Sequence, residues 1–230
     1  MTEHEEEVGF IFAIEGLIGV GKSTMCYLLR RHLISEFGIP QDKVVIINDM
    51  AASSDLLPKF YENPREYAYQ LQRHFENHRF TQLQRAMALK QKGFYVIIDQ
   101  SLLSDIVFAG ANKTNFKDGQ WELYLTEYEE DLQRAGPVDL VIYLAANAQT
   151  SLKRIGIRGR ECESEISLGY LETLEKLYEE RFGTSAPTAP SCRSILRIDW
   201  SVFKKLDDEP AIRKMKNTWC ERGKFVLVSV

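Results

Sequence analysis

The sequence predicts an α/β protein built on a five-stranded parallel sheet with helices on both faces. Short apolar runs alternate with longer amphipathic segments along the chain, and this alternation is typical of a parallel sheet wrapped by helices. The apolar runs consist almost entirely of Val, Ile, Leu and Phe, as expected of strands that are buried on both faces. No linker or internal repeat divides the chain, so we expect a single domain over residues 1–230.

The predicted elements follow one another in strand–helix order. The strands are Gly9–Glu15, Lys43–Asn48, Tyr95–Asp99, Asp139–Leu144 and Ser194–Asp199. The helices are Lys22 to about Phe37, Pro64 towards Gly93, Trp121–Ala135, Gln149–Arg158 and Ser164–Phe182. Pro64 suits the first position of its helix, where a backbone N–H is not needed. The proline-broken segment Gly183–Arg193 is a predicted loop, and the tail gives a weaker helix over Asp207–Arg222 and a strand over Lys224–Val230.

Composition excludes several classes of protein. With 44% hydrophobic and 27% charged residues, the chain has the make-up of a soluble globular protein and not of a disordered one. Its net charge of −4 argues against a broad nucleic-acid-binding face. No apolar run approaches the ~18 residues of a membrane helix. The acidic start Met1–Glu7 is unlike a signal or transit peptide, and the four cysteines are scattered, so we expect a cytoplasmic protein.

The strongest motif follows the first predicted strand. The segment Gly16-Leu17-Ile18-Gly19-Val20-Gly21-Lys22-Ser23-Thr24 matches the phosphate-binding pattern GxxxxGK[ST]. Its glycines let backbone N–H groups surround a polyphosphate at the start of a helix, where anions are favoured. Lys22 is expected to reach the β- and γ-phosphates, and the Ser23 hydroxyl to complete a Mg²⁺ shell. The sequence therefore predicts a P-loop that binds a nucleoside triphosphate.

Among P-loop proteins, the pattern favours a small-molecule kinase. Asn112-Lys-Thr-Asn115 has the wrong fourth residue for the base-reading motif of a GTPase, and no second motor domain is present. The segment Arg154-Ile-Gly-Ile-Arg-Gly-Arg160 is a predicted lid. Arg154 and Arg158 are four residues apart and share a helix face. Three guanidinium groups aimed at one point suit a transferring phosphoryl group, so Arg154, Arg158 and Arg160 are predicted to be catalytic.

Five stretches in order resemble the deoxynucleoside kinase family, and within it the bacterial deoxyadenosine/deoxyguanosine kinases. They are EGLIGVGKST from Glu15, FYENPREYAYQLQ from Phe60, DQSLLSD from Asp99, RIGIRGRECE from Arg154 and LGYLETLEKLYEERF from Leu168. The resemblance extends over about Phe10–Phe182 and leaves 200–230 unmatched. It implies a P-loop kinase fold with an arginine-rich lid, a homodimer, and transfer of the γ-phosphate of ATP to a deoxynucleoside 5′-hydroxyl.

The resemblance assigns roles to two carboxylates and exposes one departure. Asp49, where the family usually has a glutamate, would accept the proton of the 5′-hydroxyl. Asp99, at the end of a predicted strand, would help Ser23 to hold Mg²⁺. The family motif Asp/Glu-Arg-Ser reads Asp99-Gln100-Ser101 in this chain, and neutral Gln100 cannot supply the charge of the family arginine.

The substrate pocket matches the family more fully. Gln72 and Arg79 are seven residues apart and share a helix face with Phe75 between them. The resemblance implies that Gln72 contacts the nucleobase and that Phe75 packs on it. Arg79 and Asp105 match a pair found in members that accept purines or cytosine. By the same resemblance, Tyr61 and Glu163 would bind the sugar 3′-hydroxyl, and Tyr61 would exclude ribose.

The prediction is a Mg²⁺·ATP-dependent deoxynucleoside kinase that prefers a purine deoxynucleoside, with deoxycytidine as a possible substrate. Two alternatives remain at this point. A nucleoside monophosphate kinase shares the P-loop and lid, although Asp49 would repel an acceptor phosphate. A degenerate nucleotide-binding homologue with a regulatory or structural role is the second alternative, because Gln100 and the short carboxylate of Asp49 depart from the family pattern.

Overall fold

A single parallel sheet forms the centre of the protein. The computed structural model describes residues 9–49, 54–160, 163–184 and 191–201. The strands are β1 (Phe10–Gly16), β2 (Val44–Ile47), β3 (Tyr95–Asp99), β4 (Leu140–Ala145) and β5 (Ile195–Asp199). The five strands are all parallel and have the order β2-β3-β1-β4-β5. The predicted five-stranded parallel sheet is confirmed, with strand ends that shift by at most one residue.

The burial of the central strands shows that both faces of the sheet are covered. All six residues of β4 are buried, and so are the last six of β1. Because successive side chains of a strand point to opposite faces, continuous burial requires packing on both sides. The strands at the two edges, β2 and β5, are only partly buried. The near-continuous apolar composition of the runs therefore follows from their position in the sheet.

Seven α-helices are present in the described part of the chain. They are α1 (Lys22–Ser35), α2 (Leu56–Glu62), α3 (Pro64–Lys90), α4 (Asp105–Ala111), α5 (Gln120–Ala135), α6 (Ala148–Arg158) and α7 (Leu168–Phe182). Pro64 begins α3 as predicted, and the side chain of Asn63 caps it by accepting the backbone N–H of Glu66 at 3.3 Å. The prediction that α7 begins at Ser164 is wrong. Ser167 caps this helix through its hydroxyl, which accepts the N–H of Tyr170 at 3.2 Å.

Two short helices are absent from the sequence prediction. α2 and α4 have seven residues each, and two turns give too little repetition for hydrophobic periodicity to stand out. The predicted tail elements Asp207–Arg222 and Lys224–Val230 lie outside the described residues, as does 185–190 of the predicted loop. Of the helices in the described ranges, none combines the length and apolar character needed to cross a bilayer.

The strand order brings three chain segments together at the carboxyl ends of the strands. β1 lies between β3 and β4 and leads directly into the P-loop. β3 ends at Asp99, and β2 ends two residues before Asp49. In open parallel sheets, ligands bind in the crevice outside the carboxyl ends of the strands. The fold therefore gathers the P-loop and both predicted carboxylates at the carboxyl ends of the strands, where a ligand is expected.

Candidate active site

A cavity of about 670 Å³ opens at the carboxyl ends of the strands. Every predicted site residue lines it except Gly16, Leu17 and Asp105. The P-loop forms one end, and α3 contributes Gln72, Phe75 and Arg79 to the opposite part. Residues as far apart in sequence as Ile18 and Glu163 thus share one enclosure. Its volume is within the range of small-molecule sites.

The P-loop needs glycine at two positions for different reasons. At Gly16 (φ 147°), an added Cβ would lie 2.9 Å from the carbonyl oxygen of Leu144. At Gly19 (φ 74°), it would lie 2.6 Å from the side chain of Ile155 on α6. Both φ values lie in a region that residues with a Cβ rarely adopt. Glycine therefore lets the loop approach β4 at one end and α6 at the other.

Lys22 is folded onto the loop that precedes it. Its Nζ donates to the carbonyl oxygens of Gly16 at 2.9 Å and Leu17 at 3.1 Å. Burial lowers the pKa of Lys22, while the nearby carboxylates of Asp99 and Asp49 act in the opposite direction. A bound polyphosphate would offer this ammonium group stronger, charged acceptors than two neutral carbonyls.

Ser23 and Asp99 form a pair of oxygen donors beside the P-loop. The Ser23 hydroxyl donates to Asp99 Oδ2 at 2.5 Å. Ser23 lies on α1, which follows β1, and Asp99 ends β3, which the sheet order places beside β1. A hydroxyl and a carboxylate are hard oxygen ligands of the kind that Mg²⁺ prefers. The residues present therefore fit the predicted metal site.

Arg79 links the two carboxylates of the substrate pocket. Its Nη1 donates to Asp105 Oδ1, and its Nη2 donates to Asp49 at 3.2 Å to Oδ2 and 3.4 Å to Oδ1. Burial alone would lower the pKa of Arg79, but Asp105 and Asp49 raise it above its ordinary value. Burial raises the pKa of Asp105 to about 7, although Arg79 favours its charged form. Asp105 lies behind Arg79 and does not reach the cavity.

The base pocket contains a buried amide with an unused hydrogen-bond acceptor. Gln72 is buried, and its Oε1 has no hydrogen-bond partner among the described residues. Phe75 lies under the guanidinium of Arg79, with 5.6 Å between its ring centroid and Arg79 Cζ. All three side chains face the cavity, as the spacing on the helix predicted. An unpartnered buried amide beside an aromatic ring provides the chemistry for binding a planar, polar ligand.

The predicted lid arginines do not converge on one point. Arg158 donates through Nε at 3.1 Å and through Nη2 to Glu163 Oε2, and Arg160 Nη1 lies 3.6 Å from Glu163 Oε1. Arg154 is instead buried, and its guanidinium donates to the carbonyl oxygens of Val20 at 2.8 Å and Trp200 at 2.9 Å. The physical reason is that Arg154 faces the P-loop, whereas Arg158, one turn later, is exposed.

Gln100 combines an unusual backbone with an uncommitted side chain. Among the described residues it is the only non-glycine with a positive φ, 66°. Its side chain is buried and lines the cavity, yet no hydrogen bond joins its amide to any described residue. Asp49, whose partner the family arginine would be, is contacted by Arg79 instead. The cationic partner of Asp49 in this structure is therefore Arg79 of α3.

Two further residues escaped the sequence analysis. Glu15 is completely buried at the end of β1, and its Oε1 accepts the backbone N–H of Ser101 at 2.9 Å and the Ser101 hydroxyl at 2.6 Å. Trp200 supplies the carbonyl that receives Arg154, and its indole Nε1 lies near Gly21. A lone carboxylate at the end of an apolar strand was a signal for Glu15. Trp200 gave no comparable signal.

These features define a P-loop enzyme that transfers phosphoryl groups to a small polar acceptor. The sequence model described as "Deoxynucleoside kinase" matches residues 12–221, and the chain belongs to this family. It is therefore a kinase that phosphorylates deoxynucleosides.

Relatives and solved structures agree with this assignment. The chain is 30% identical to a deoxyadenosine kinase of Dictyostelium discoideum, over 90% of this chain and 78% of the relative. It is 34% identical to a deoxyguanosine kinase of Bacillus subtilis, over 73% of this chain and 75% of the relative. A structure of deoxyadenosine kinase from M. mycoides with bound dATP superposes with a TM-score of 0.72 at 26% identity, covering 90% of this chain and 99% of the other.

Proposed function

We propose that this deoxynucleoside kinase transfers the γ-phosphate of ATP to the 5′-hydroxyl of a purine deoxynucleoside, deoxyadenosine or deoxyguanosine. The observation that carries the proposal is the single cavity that joins the P-loop to Asp49 and Arg79. Donor and acceptor groups must be held together for direct phosphoryl transfer, because positioning supplies much of the rate. The names of the relatives, deoxyadenosine and deoxyguanosine kinases, support a purine acceptor.

Asp49 is the proposed general base. It lies at the carboxyl end of the sheet, lines the cavity and is partly exposed to it. A carboxylate within hydrogen-bond reach of the 5′-hydroxyl would accept its proton as the new O–P bond forms. The acidic side chain also disfavours a phosphorylated acceptor, because an incoming phosphate would face a like charge.

The donor site consists of the P-loop, Ser23 and Asp99. The backbone N–H groups of Gly16–Thr24 and the ammonium of Lys22 would hold the triphosphate. The oxygens of Ser23 and Asp99 would hold Mg²⁺, which, when bound, neutralises charge on the β- and γ-phosphates. Arg158 and Arg160 would contact the transferring phosphoryl after leaving Glu163, whereas Arg154 would act by fixing the P-loop through Val20.

The acceptor site consists of α3 and the segment around Glu163. The free Oε1 of Gln72 would accept an N–H of the base, and Phe75 would pack on its ring. Arg79, held by Asp105, would read the remaining polar edge of a purine. Tyr61 and Glu163 would bind the 3′-hydroxyl, and Tyr61 would leave no room for a ribose 2′-hydroxyl. We further propose a homodimer, on the family resemblance, and a cytoplasmic location, on the scattered cysteines. Light scattering would test the dimer.

The proposal is tested by a kinase assay with Mg²⁺·ATP and the four natural deoxynucleosides, their ribonucleoside counterparts and dAMP. We expect deoxyadenosine or deoxyguanosine to give the highest kcat/KM and the ribonucleosides to be poor acceptors. Faster phosphorylation of dAMP would instead identify a nucleoside monophosphate kinase. No turnover with any acceptor by folded protein, restored by Gln100→Arg, would identify a degenerate homologue.

A further inference from the structure

We propose that Arg79 is a positioning residue for the general base Asp49, in addition to any contact it makes with the nucleobase. This inference rests on the proposed function, because it assigns Asp49 the role of accepting the hydroxyl proton. It assigns to one guanidinium group two tasks that involve different parts of the acceptor. As a consequence, recognition of the nucleobase and alignment of the reacting hydroxyl depend on the same side chain.

Arg79 is itself held in one position. It is buried on α3, and its Nη1 is bound to the fully buried carboxylate of Asp105. Phe75 and Phe108 lie on its guanidinium, at 5.6 Å and 5.9 Å from ring centroid to Cζ. A planar guanidinium held at one nitrogen and packed by two rings has little freedom to turn. Its second nitrogen is therefore presented in a fixed direction.

That second nitrogen meets Asp49. Nη2 lies 3.2 Å from Oδ2 and 3.4 Å from Oδ1, so it contacts both oxygens of the carboxylate. Asp49 lies beyond the end of β2, where no strand hydrogen bonds restrain it. A short aspartate side chain in a loop needs an external contact to hold its carboxylate in one orientation. Within the described ranges, Arg79 is the only cationic side chain that forms an ion pair with Asp49.

Other groups of the cavity do not provide this restraint. The Nζ of Lys22 is bound to the carbonyl oxygens of Gly16 and Leu17. Gln100 is neutral and therefore cannot form an ion pair with Asp49. The Nη1 and Nη2 atoms of Arg79 therefore join Asp105, behind the pocket, to Asp49, inside it. A catalytic group held by a supporting hydrogen bond is better aligned in the transition state.

A double-mutant cycle on kcat tests the inference. We expect Arg79→Met to lower kcat at saturating deoxynucleoside and ATP by 30-fold or more in the wild-type background. In an Asp49→Asn background the same substitution should lower kcat less than threefold, because the carboxylate that Arg79 positions is gone. A residue that serves only the fold or only base binding would not give this dependence. Arg79→Lys, which keeps the charge without the fork, should also lower kcat in the wild-type background alone.

Arg73→Met is the matched control. Arg73 lies on the same helix and pairs with the buried Glu76, but it does not line the cavity. It should affect kcat equally in both backgrounds. Equal losses for Arg79→Met in the two backgrounds, with wild-type turnover intact, would overturn the inference alone. Absence of turnover with every deoxynucleoside in wild-type protein would overturn the proposed function, and the inference with it. If Arg79→Met fails to fold, the cycle with Arg79→Lys decides between the same outcomes.

Discussion

The carboxylate of Glu15 accepts two hydrogen bonds from Ser101, one from its backbone N–H at 2.9 Å and one from its hydroxyl at 2.6 Å. Glu15 is the last side chain before the P-loop, and Ser101 follows Asp99 and Gln100. The pair therefore fastens the start of the P-loop to the end of β3. Burial raises the pKa of Glu15, and the donors of Ser101 oppose that shift.

Removing the Ser101 hydroxyl should destabilise the protein. Ser101→Ala leaves the buried Glu15 with one donor fewer from Ser101, and depriving a buried acceptor of a hydrogen bond costs about 2 kcal/mol. Urea unfolding measures the change. Thr126→Ala is the matched control, because the Thr126 hydroxyl donates to a backbone carbonyl on an exposed part of α5. Equal losses for the two variants would contradict the structural role of the Glu15–Ser101 pair.

Gly19→Ala should weaken binding of the triphosphate. The new methyl group would lie 2.6 Å from the side chain of Ile155, so the loop must shift away from α6. Gly38→Ala is the control, because Gly38 has a similar φ of 67° with no atom within 4 Å of an added Cβ. Each substitution should cost about 1 kcal/mol of unfolding free energy through the left-handed backbone. Only Gly19→Ala should raise the KM for ATP, by tenfold or more; equal KM effects would refute the contact.

Glu163→Gln should weaken binding of the deoxynucleoside and leave the stability of the protein nearly unchanged. The pair that Glu163 forms with Arg158 lies near the surface and contributes little to folding. A neutral amide is a weaker acceptor for a sugar hydroxyl than a carboxylate, so we expect the deoxynucleoside KM to rise about tenfold. The unfolding midpoint should stay within a degree or two, on the order expected for surface changes. Glu172→Gln, on an exposed position of α7, serves as the control for steady-state kinetics.

Glu76 should make the stability of the protein fall as the pH rises from about 5 to 8. Burial raises the pKa of Glu76 to about 8, against the attraction of Arg73, and its Oε2 has no partner among the described residues. Because the folded state holds this proton more tightly than the unfolded state, the stabilisation is full below pH 4.5 and is lost as the pH rises through 8. The loss between pH 5 and 8 is on the order of 3 kcal/mol.

Glu76→Gln tests this pH dependence. The variant carries no titrating group at the position, so its unfolding free energy should fall by that much less than wild type over the same range. Asp105, whose pKa burial also raises, contributes with the same sign to both proteins and cancels in the difference. Urea unfolding at pH 5, 6, 7 and 8 gives the two curves. Parallel curves would show that Glu76 is ionised in the folded protein throughout.

The sequence predicted the parts of the fold that have strong periodicity. All five strands were found because each is a short, nearly continuous apolar run, and the runs of the central strands β1 and β4 are buried on both faces. The long helix α3 was found because Pro64 marks its start. The short helices α2 and α4 were missed because seven residues carry little periodic signal. The start of α7 depended on which serine caps it, and Ser164 and Ser167 have the same chemistry in the sequence.

The candidate site was predictable as a set of residues but not as a set of contacts. Motif spacing predicted the P-loop, Gln72, Phe75 and Arg79 as site residues, and all of them except Gly16 and Leu17 line the cavity. The partners of the arginines could not be read from spacing, because they depend on segments distant in sequence. Arg154 meets Trp200, which is 46 residues away. Arg79 meets Asp49 because β2 and α3 converge at the same edge of the sheet.

The two carbonyl contacts of Arg154 determine where the predicted lid can bend. The guanidinium of Arg154 contacts both Val20 and Trp200, so the first two turns of α6 are anchored to the P-loop and to the end of β5. Beyond this anchor, Gly156 and Gly159 have no atoms within 4 Å of an added Cβ. We therefore expect the hinge of the segment to lie between Ile155 and Arg160. Arg158 and Arg160 would swing on this hinge, while the triphosphate-binding loop keeps its shape during the catalytic cycle.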